Sequence, residues 1–243
     1  MPADTPSAAL TMPAVDRKDR LIVALDVESR GQAEAMIEAL GDDAGFFKIG
    51  YQLFYGGDGL NLGKALIRAG KKVFFDLKLL DIDNTVEKGV AAIAETGAHM
   101  LTVHAYPNAM HAAVKGAEGS DLCLLGVTVL TSMDEADLLL AGYSQTPEEL
   151  VTKRAFQALE AGMGGIVCSP VEARRARAGT GPGLAIVTPG IRPAGATADD
   201  QKRVATPEMA FDRGASHIVV GRPITAAPDP AAAARAILDS IPE

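Results

Sequence analysis

Eight short apolar runs, each followed by a stretch with another periodicity, constrain this chain more than anything else in it. The runs are LIVALDV from residue 21, FFKIG from 46, KVFFDLKLL from 72, MLTVHA from 100, LCLLGVTVL from 122, GIVCS from 165, LAIVTPG from 184 and HIVVG from 217. Their length and their content of Val, Ile, Leu and Phe read as buried parallel strands. Between them, Ala33, Met36, Ile37 and Leu40 recur at helical spacing, as do Val86, Val90, Ile93, Ala94 and Gly97. Ala234, Ile237, Leu238 and Ile241 repeat the pattern near the C-terminus. Strands alternating with helices make βαβ units. Eight units in about 225 residues predict an α/β fold, a single-domain (β/α)8 TIM barrel over residues 20–243. The rival is an open doubly wound sheet, but no GxGxxG follows the first strand.

Composition narrows the function. With 48% apolar and 22% charged residues the chain can bury a large core. A formal net charge of −8 argues against a general nucleic-acid or anionic-membrane surface. No apolar stretch is long enough to span a bilayer. The opening MPADTPSAALTMPAVDRKD lacks the basic start and apolar stretch of a signal peptide, so residues 1–19 read as a flexible leader on a cytoplasmic protein. Cys123 and Cys168 stand alone in apolar runs and read as buried small hydrophobes. His99, His111 and His217 show no ligand spacing, so no metal is expected. His104 closes a strand and is read equally well as structural or functional, and the four tyrosines as packing at loop edges.

The segment KVFFDLKLLDIDNT, residues 72–85, is the chemically informative one. Alternation along a strand puts Phe74, Asp76 and Lys78 on one face. The same rule groups Ile22 with Ala24 and Asp26, and Phe46 with Lys48 and Gly50. If these faces point inward, Asp26, Lys48, Asp76 and Lys78 alternate in sign around one mouth of a barrel. The bland alternative is a salt-bridged plug, which packed apolar groups often replace without loss of stability. Two later stretches suit an anion. VTPGIRPAGATADDQKR, residues 187–203, is a long loop carrying Arg192, Gln201, Lys202 and Arg203. VVGRPIT, residues 219–225, runs a strand into Gly221 and Arg222, in the position where such barrels often hold phosphate.

Together these landmarks resemble the bacterial type of orotidine 5′-monophosphate decarboxylase. DLKLLDI is similar to that family's DxKxxDI signature. ALDV, FFKIG, VTVLTSM from 127, VTPGIRP, DDQKR and VGRPIT follow in the family's order. The heptad signature alone is shared with related sugar-phosphate decarboxylases; the whole set, over residues 20–240, is far more specific. The resemblance implies conversion of orotidine 5′-monophosphate to uridine 5′-monophosphate and carbon dioxide, the last step of de novo pyrimidine synthesis, with no cofactor or metal. It makes Lys78 the proton donor, sets Asp76 against the departing carboxylate, and gives the ribose to Asp26 and Lys48. Thr131 and Ser132 would meet the pyrimidine. Pro189, Arg192, Gln201, Gly221 and Arg222 would hold the nucleotide at its phosphate end. Asp81, Ile82 and Thr85 would reach into a neighbouring subunit's site, making a homodimer with shared active sites. One departure stands out: Asp83 occupies a position that is commonly proline in the family, which predicts a looser turn. The nearest alternative is a metal-dependent keto-sugar-phosphate decarboxylase, expected to carry a carboxylate where this chain has Lys48. A non-catalytic phosphate-binding module would not need Lys78.

Overall fold

The computed structural model describes residues 16–193 and 205–242. The eight runs become β1 (Leu21–Ala24), β2 (Phe46–Gly50), β3 (Lys72–Leu79), β4 (Met100–His104), β5 (Cys123–Val127), β6 (Gly165–Val167), β7 (Ala185–Thr188) and β8 (His217–Val220). Helices α1 (Arg30–Leu40), α2 (Gly59–Arg68), α3 (Asp83–Ala94) and α4 (Pro107–Gly116) follow the first four strands. Two helices, α5 (Glu135–Leu140) and α6 (Pro147–Glu160), lie between β5 and β6. Then come α7 (Ala173–Thr180), α8 (Pro207–Asp212), α9 (Arg222–Thr225) and α10 (Pro230–Asp239). All neighbouring strands pair in parallel, and β8 closes on β1. The chain is therefore a single-domain (β/α)8 barrel, and the open-sheet alternative falls.

Most strands end earlier than the apolar runs that announce them. The first run extends to Val27 but β1 stops at Ala24, and the fifth extends to Leu130 but β5 stops at Val127. The remaining residues leave the ladder to form the loops at one mouth. Helix starts are marked locally: Thr146 and Glu149 form a reciprocal cap with Pro147 in the first turn of α6. Asp83 is the first residue of α3. Proline suits that position because no helical N–H bond is lost there, and an acidic side chain suits it because it faces the positive helix end. Asp83 thus stands at a helix start that favours its charge.

Alternation sorts the apolar residues into two cores. Ile22, Ala24, Phe46, Phe74, Met100, Leu125, Ala185, Val187 and Val219 fill the barrel interior. The opposite faces, with Val23, Phe47, Phe75, Leu101, Ile166 and Ile218 among them, pack beneath the helices. Each fully buried Val, Leu, Ile, Phe or Met side chain contributes roughly 1.5–3 kcal/mol. The bottom of the barrel is closed by a 3-10 turn, Arg17–Arg20, whose Asp19 pairs with Lys72 at 2.8 Å. Structure thus begins inside the expected leader, whose residues 1–15 lie outside the described residues. Among the described residues no helix is long and apolar enough to cross a membrane.

His99 and His217 both stand edge-on to Phe46 at this lower end. Burial pushes His217 down to about 4, with the charges of Asp19, Lys72 and Arg20 as lesser influences. An unfolded histidine takes a proton near pH 6.5, so the unfolded chain binds more protons as pH falls and stability declines from about 6.5 down to about 4. We expect the His217 contribution to cost about 2 kcal/mol between pH 8 and pH 5. Urea unfolding of the wild type and His217→Gln at both pH values checks this; equal acid sensitivity in the two chains would refute it.

Candidate active site

A cavity of about 610 Å³ opens at the carboxyl ends of the strands. Asp26, Lys48, Asp76 and Lys78 all line it, as inward alternation leads one to expect. Lys48 Nζ lies 2.9 Å from Asp26 Oδ1 and 3.5 Å from Asp76 Oδ2. Lys78 Nζ lies 2.8 Å from Asp76 Oδ1. The four therefore form a chain of alternating sign, Asp26–Lys48–Asp76–Lys78, with Asp76 shared between two ammonium groups.

Electrostatics follow from that sharing. Burial pulls Lys48 down, but the facing charges of Asp76 and Asp26 together outweigh it and hold the ammonium above the usual lysine value. Burial likewise raises Asp76, and the charges of Lys48 and Lys78, with hydrogen bonds from Lys78 and Thr102, reverse this and leave its carboxyl below the usual range. Both groups are charged at neutral pH.

Lys78 reaches the cavity by an irregularity that alternation alone misses. Phe75 pairs with Leu101, yet Leu79 pairs with Val103, so three residues of β3 face the single Thr102 of β4. This bulge puts Lys78 at φ 44°, in the left-handed region. The Thr102 hydroxyl ties it together, accepting from the Lys78 N–H and donating to Asp76 Oδ1, both at 2.9 Å. Thr102 is fully buried on the inward face of β4 and absent from the sequence-based site; its alternation with Met100 and His104 is the signal that would have found it. Gly50 also belongs here. A Cβ at this position would come within 3.1 Å of both Asp26 Oδ1 and Lys48 Nζ, so a side chain would press the ion pair apart. Tyr51 lines the cavity with its ring 5.4 Å from Lys78 Nζ, rather than packing at a loop edge alone.

The remaining candidates divide. Thr131 and Ser132, in the loop after β5, line the same cavity. So do Pro189 and Arg192 after β7 and Gly221 and Arg222 after β8. A Cβ on Gly221 would meet Ala24 Cβ at 3.6 Å and Asp26 Oδ2 at 4.0 Å, ordinary contacts that the fold itself would tolerate. Glycine there leaves cavity space open instead of relieving a clash. Arg192 is held by its backbone: its N–H donates to the Ala205 carbonyl, and Ile191 bridges Ala205. Gln201, Lys202 and Arg203 lie outside the described residues.

Asp81, Ile82 and Thr85 are exposed and do not line the cavity of their own chain. The Asp81 carboxylate accepts from the Ile82 N–H at 2.6 Å, and Ile82 is 71% exposed. Among the described residues of its own chain, the acid paired with Lys78 is Asp76. Burial lowers His104, reinforced by the charges of Lys78 and Arg154. Among the described residues no group of three His, Cys, Asp or Glu could hold a metal ion.

A closed parallel barrel with charged groups converging in a cavity at its strand ends defines a barrel enzyme. A family model described as "Orotidine 5′-phosphate decarboxylase / HUMPS family" matches residues 19–237, and the chain belongs to that family. The crystal structure of an orotidine 5′-phosphate decarboxylase from Lactobacillus acidophilus is 38% identical, with a TM-score of 0.81, covering 92% of this chain and 99% of that one. An uncharacterized conserved protein from Geobacillus kaustophilus is 31% identical, with a TM-score of 0.77, covering 90% of this chain and 99% of that one. The chain is accordingly an enzyme of the carboxy-lyase class.

Proposed function

We propose that the chain decarboxylates orotidine 5′-monophosphate to uridine 5′-monophosphate and carbon dioxide, without metal or organic cofactor. The observation that carries this is the Asp26–Lys48–Asp76–Lys78 array in the cavity. Loss of carbon dioxide breaks a carbon–carbon bond and leaves the electron pair on a ring carbon that delocalises it poorly. A fixed ammonium at that spot stabilises the developing charge and then supplies the proton. Lys78 fills this role, and Asp76 pairs with its ammonium at 2.8 Å while lying against the departing carboxylate. Asp26 and Lys48 hold the ribose hydroxyls; Thr131 and Ser132 meet the pyrimidine. Pro189, Arg192, Gln201, Gly221 and Arg222 bind the phosphate end, with Arg offering a bidentate fork to its oxygens. Binding energy from that remote end is expressed in the rate as well as in affinity.

The metal-dependent sugar-phosphate reading within the same family is disfavoured by Lys48, which stands paired with two carboxylates where a metal-binding acid is expected. We further propose a homodimer in which Asp81, Ile82 and Thr85 enter the partner's site. Its support is that these residues lie exposed on one turn beside the half-exposed Leu80, while the own-chain cavity lacks them. The deciding experiment is loss of orotidine monophosphate absorbance in buffer containing excess chelator. Turnover at the untreated rate is expected; activity that appears only with added magnesium would sink the reading.

A further inference from the structure

Arg154 lies on α6, outside the cavity, and no role above uses it. It is only 8% exposed, and among the described residues no carboxylate pairs with it. Burying a cation without an anion is unfavourable unless other groups replace its water. Here Nη1 donates to the Thr128 carbonyl and Nη2 to the Tyr143 hydroxyl at 3.0 Å. The guanidinium also lies 5.1 Å from the ring centre of Tyr106 and 5.2 Å from that of Tyr143. The two tyrosine hydroxyls are 2.6 Å apart, which completes a closed clamp.

The target of this clamp matters. Thr128 is already tied to β6, donating to the Val167 carbonyl from its N–H at 3.1 Å and from Oγ1 at 2.8 Å. Arg154 fixes its other end. Because the peptide unit is planar, a pinned carbonyl also sets the direction in which Val129 leaves. Leu130, Thr131 and Ser132 follow directly and form cavity wall. We infer that Arg154 is a positioning residue: by holding the Thr128 carbonyl it aims the 129–132 segment at the ligand's base, and so sets base recognition without touching ligand. The inference rests on the proposed contact of Thr131 and Ser132 with the pyrimidine.

Two ligands separate this role from general support of the fold. Uridine 5′-monophosphate carries the base; ribose 5-phosphate keeps the sugar and phosphate but lacks it. In Arg154→Met, calorimetric titration should show uridine monophosphate binding about tenfold weaker, because the 129–132 segment is no longer held in the direction the base requires. Ribose 5-phosphate should bind within twofold of wild type. Arg154→Lys, which retains one donor, should recover part of the loss. Equal weakening of both ligands, or unchanged nucleotide binding in a folded variant, would overturn the inference. Should the methionine variant not fold, the lysine variant decides by the same ratio. Failure of the underlying reading looks different: wild type itself would bind the two ligands equally, and the inference would fall with it.

Discussion

Lys78→Ala is expected to lower kcat by about 10⁴-fold or more, with KM changed only a few-fold. In the proposed role two effects are lost at once, because the same ammonium would stabilise the developing carbanion and protonate it. Both act mainly in the transition state, so the loss falls on kcat and kcat/KM together. Lys78→Arg should not rescue. A guanidinium holds its proton too firmly to deliver it and is too broad for the place of a compact ammonium. Steady-state kinetics beside circular dichroism and thermal melting give the test, and a folded Lys78→Ala chain within tenfold of the wild-type rate would remove the proton-donor assignment. A pure phosphate-binding module predicts instead no turnover by the wild type and unharmed ligand binding by Lys78→Ala.

Mixing two inactive variants should restore activity. Asp81→Ala lacks the carboxylate proposed to enter the partner's cavity, and Lys78→Ala lacks the amine of its own. Random reassortment of equal amounts makes half the dimers mixed. Each mixed dimer has one site with both groups and one with neither, so about one quarter of the wild-type activity should return. If Asp81 served its own chain, mixing would give no more than the summed residual rates. The structure makes the question sharp because Asp81 is exposed and bonded to the backbone N–H next to it, while Lys78 pairs with Asp76.

Much of the barrel is legible in the sequence, since parallel strands buried on both faces are apolar runs that need no partner to be recognised. The charged array is legible for the same reason: Asp26, Lys48 and Asp76 stand where alternation demands an inward side chain, and a charge is conspicuous in an apolar run. Lys78 shows where the rule stops. Strict alternation and a bulge both deliver it to the cavity, and only the pairing of Leu79 with Val103 tells them apart. Thr102 escapes notice because a threonine within an apolar strand is commonplace; its importance lies in two hydrogen bonds to residues on another strand. Arg154 escapes because its partners, Tyr106, Thr128 and Tyr143, come from separate segments that only the closed barrel brings together. Gly50 is visible as a strand end, but the reason for having no side chain is the ion pair beside it.

The left-handed backbone at Lys78 has a consequence for how heat resistance could evolve in this protein. An L side chain in that conformation costs about 1–2 kcal/mol, and glycine is the residue that would remove the penalty. Yet glycine carries no amine. With the amine in its proposed role, the simplest stabilising replacement at this site is closed to any lineage that still needs uridine 5′-monophosphate from this enzyme, and added robustness has to come from elsewhere in the barrel.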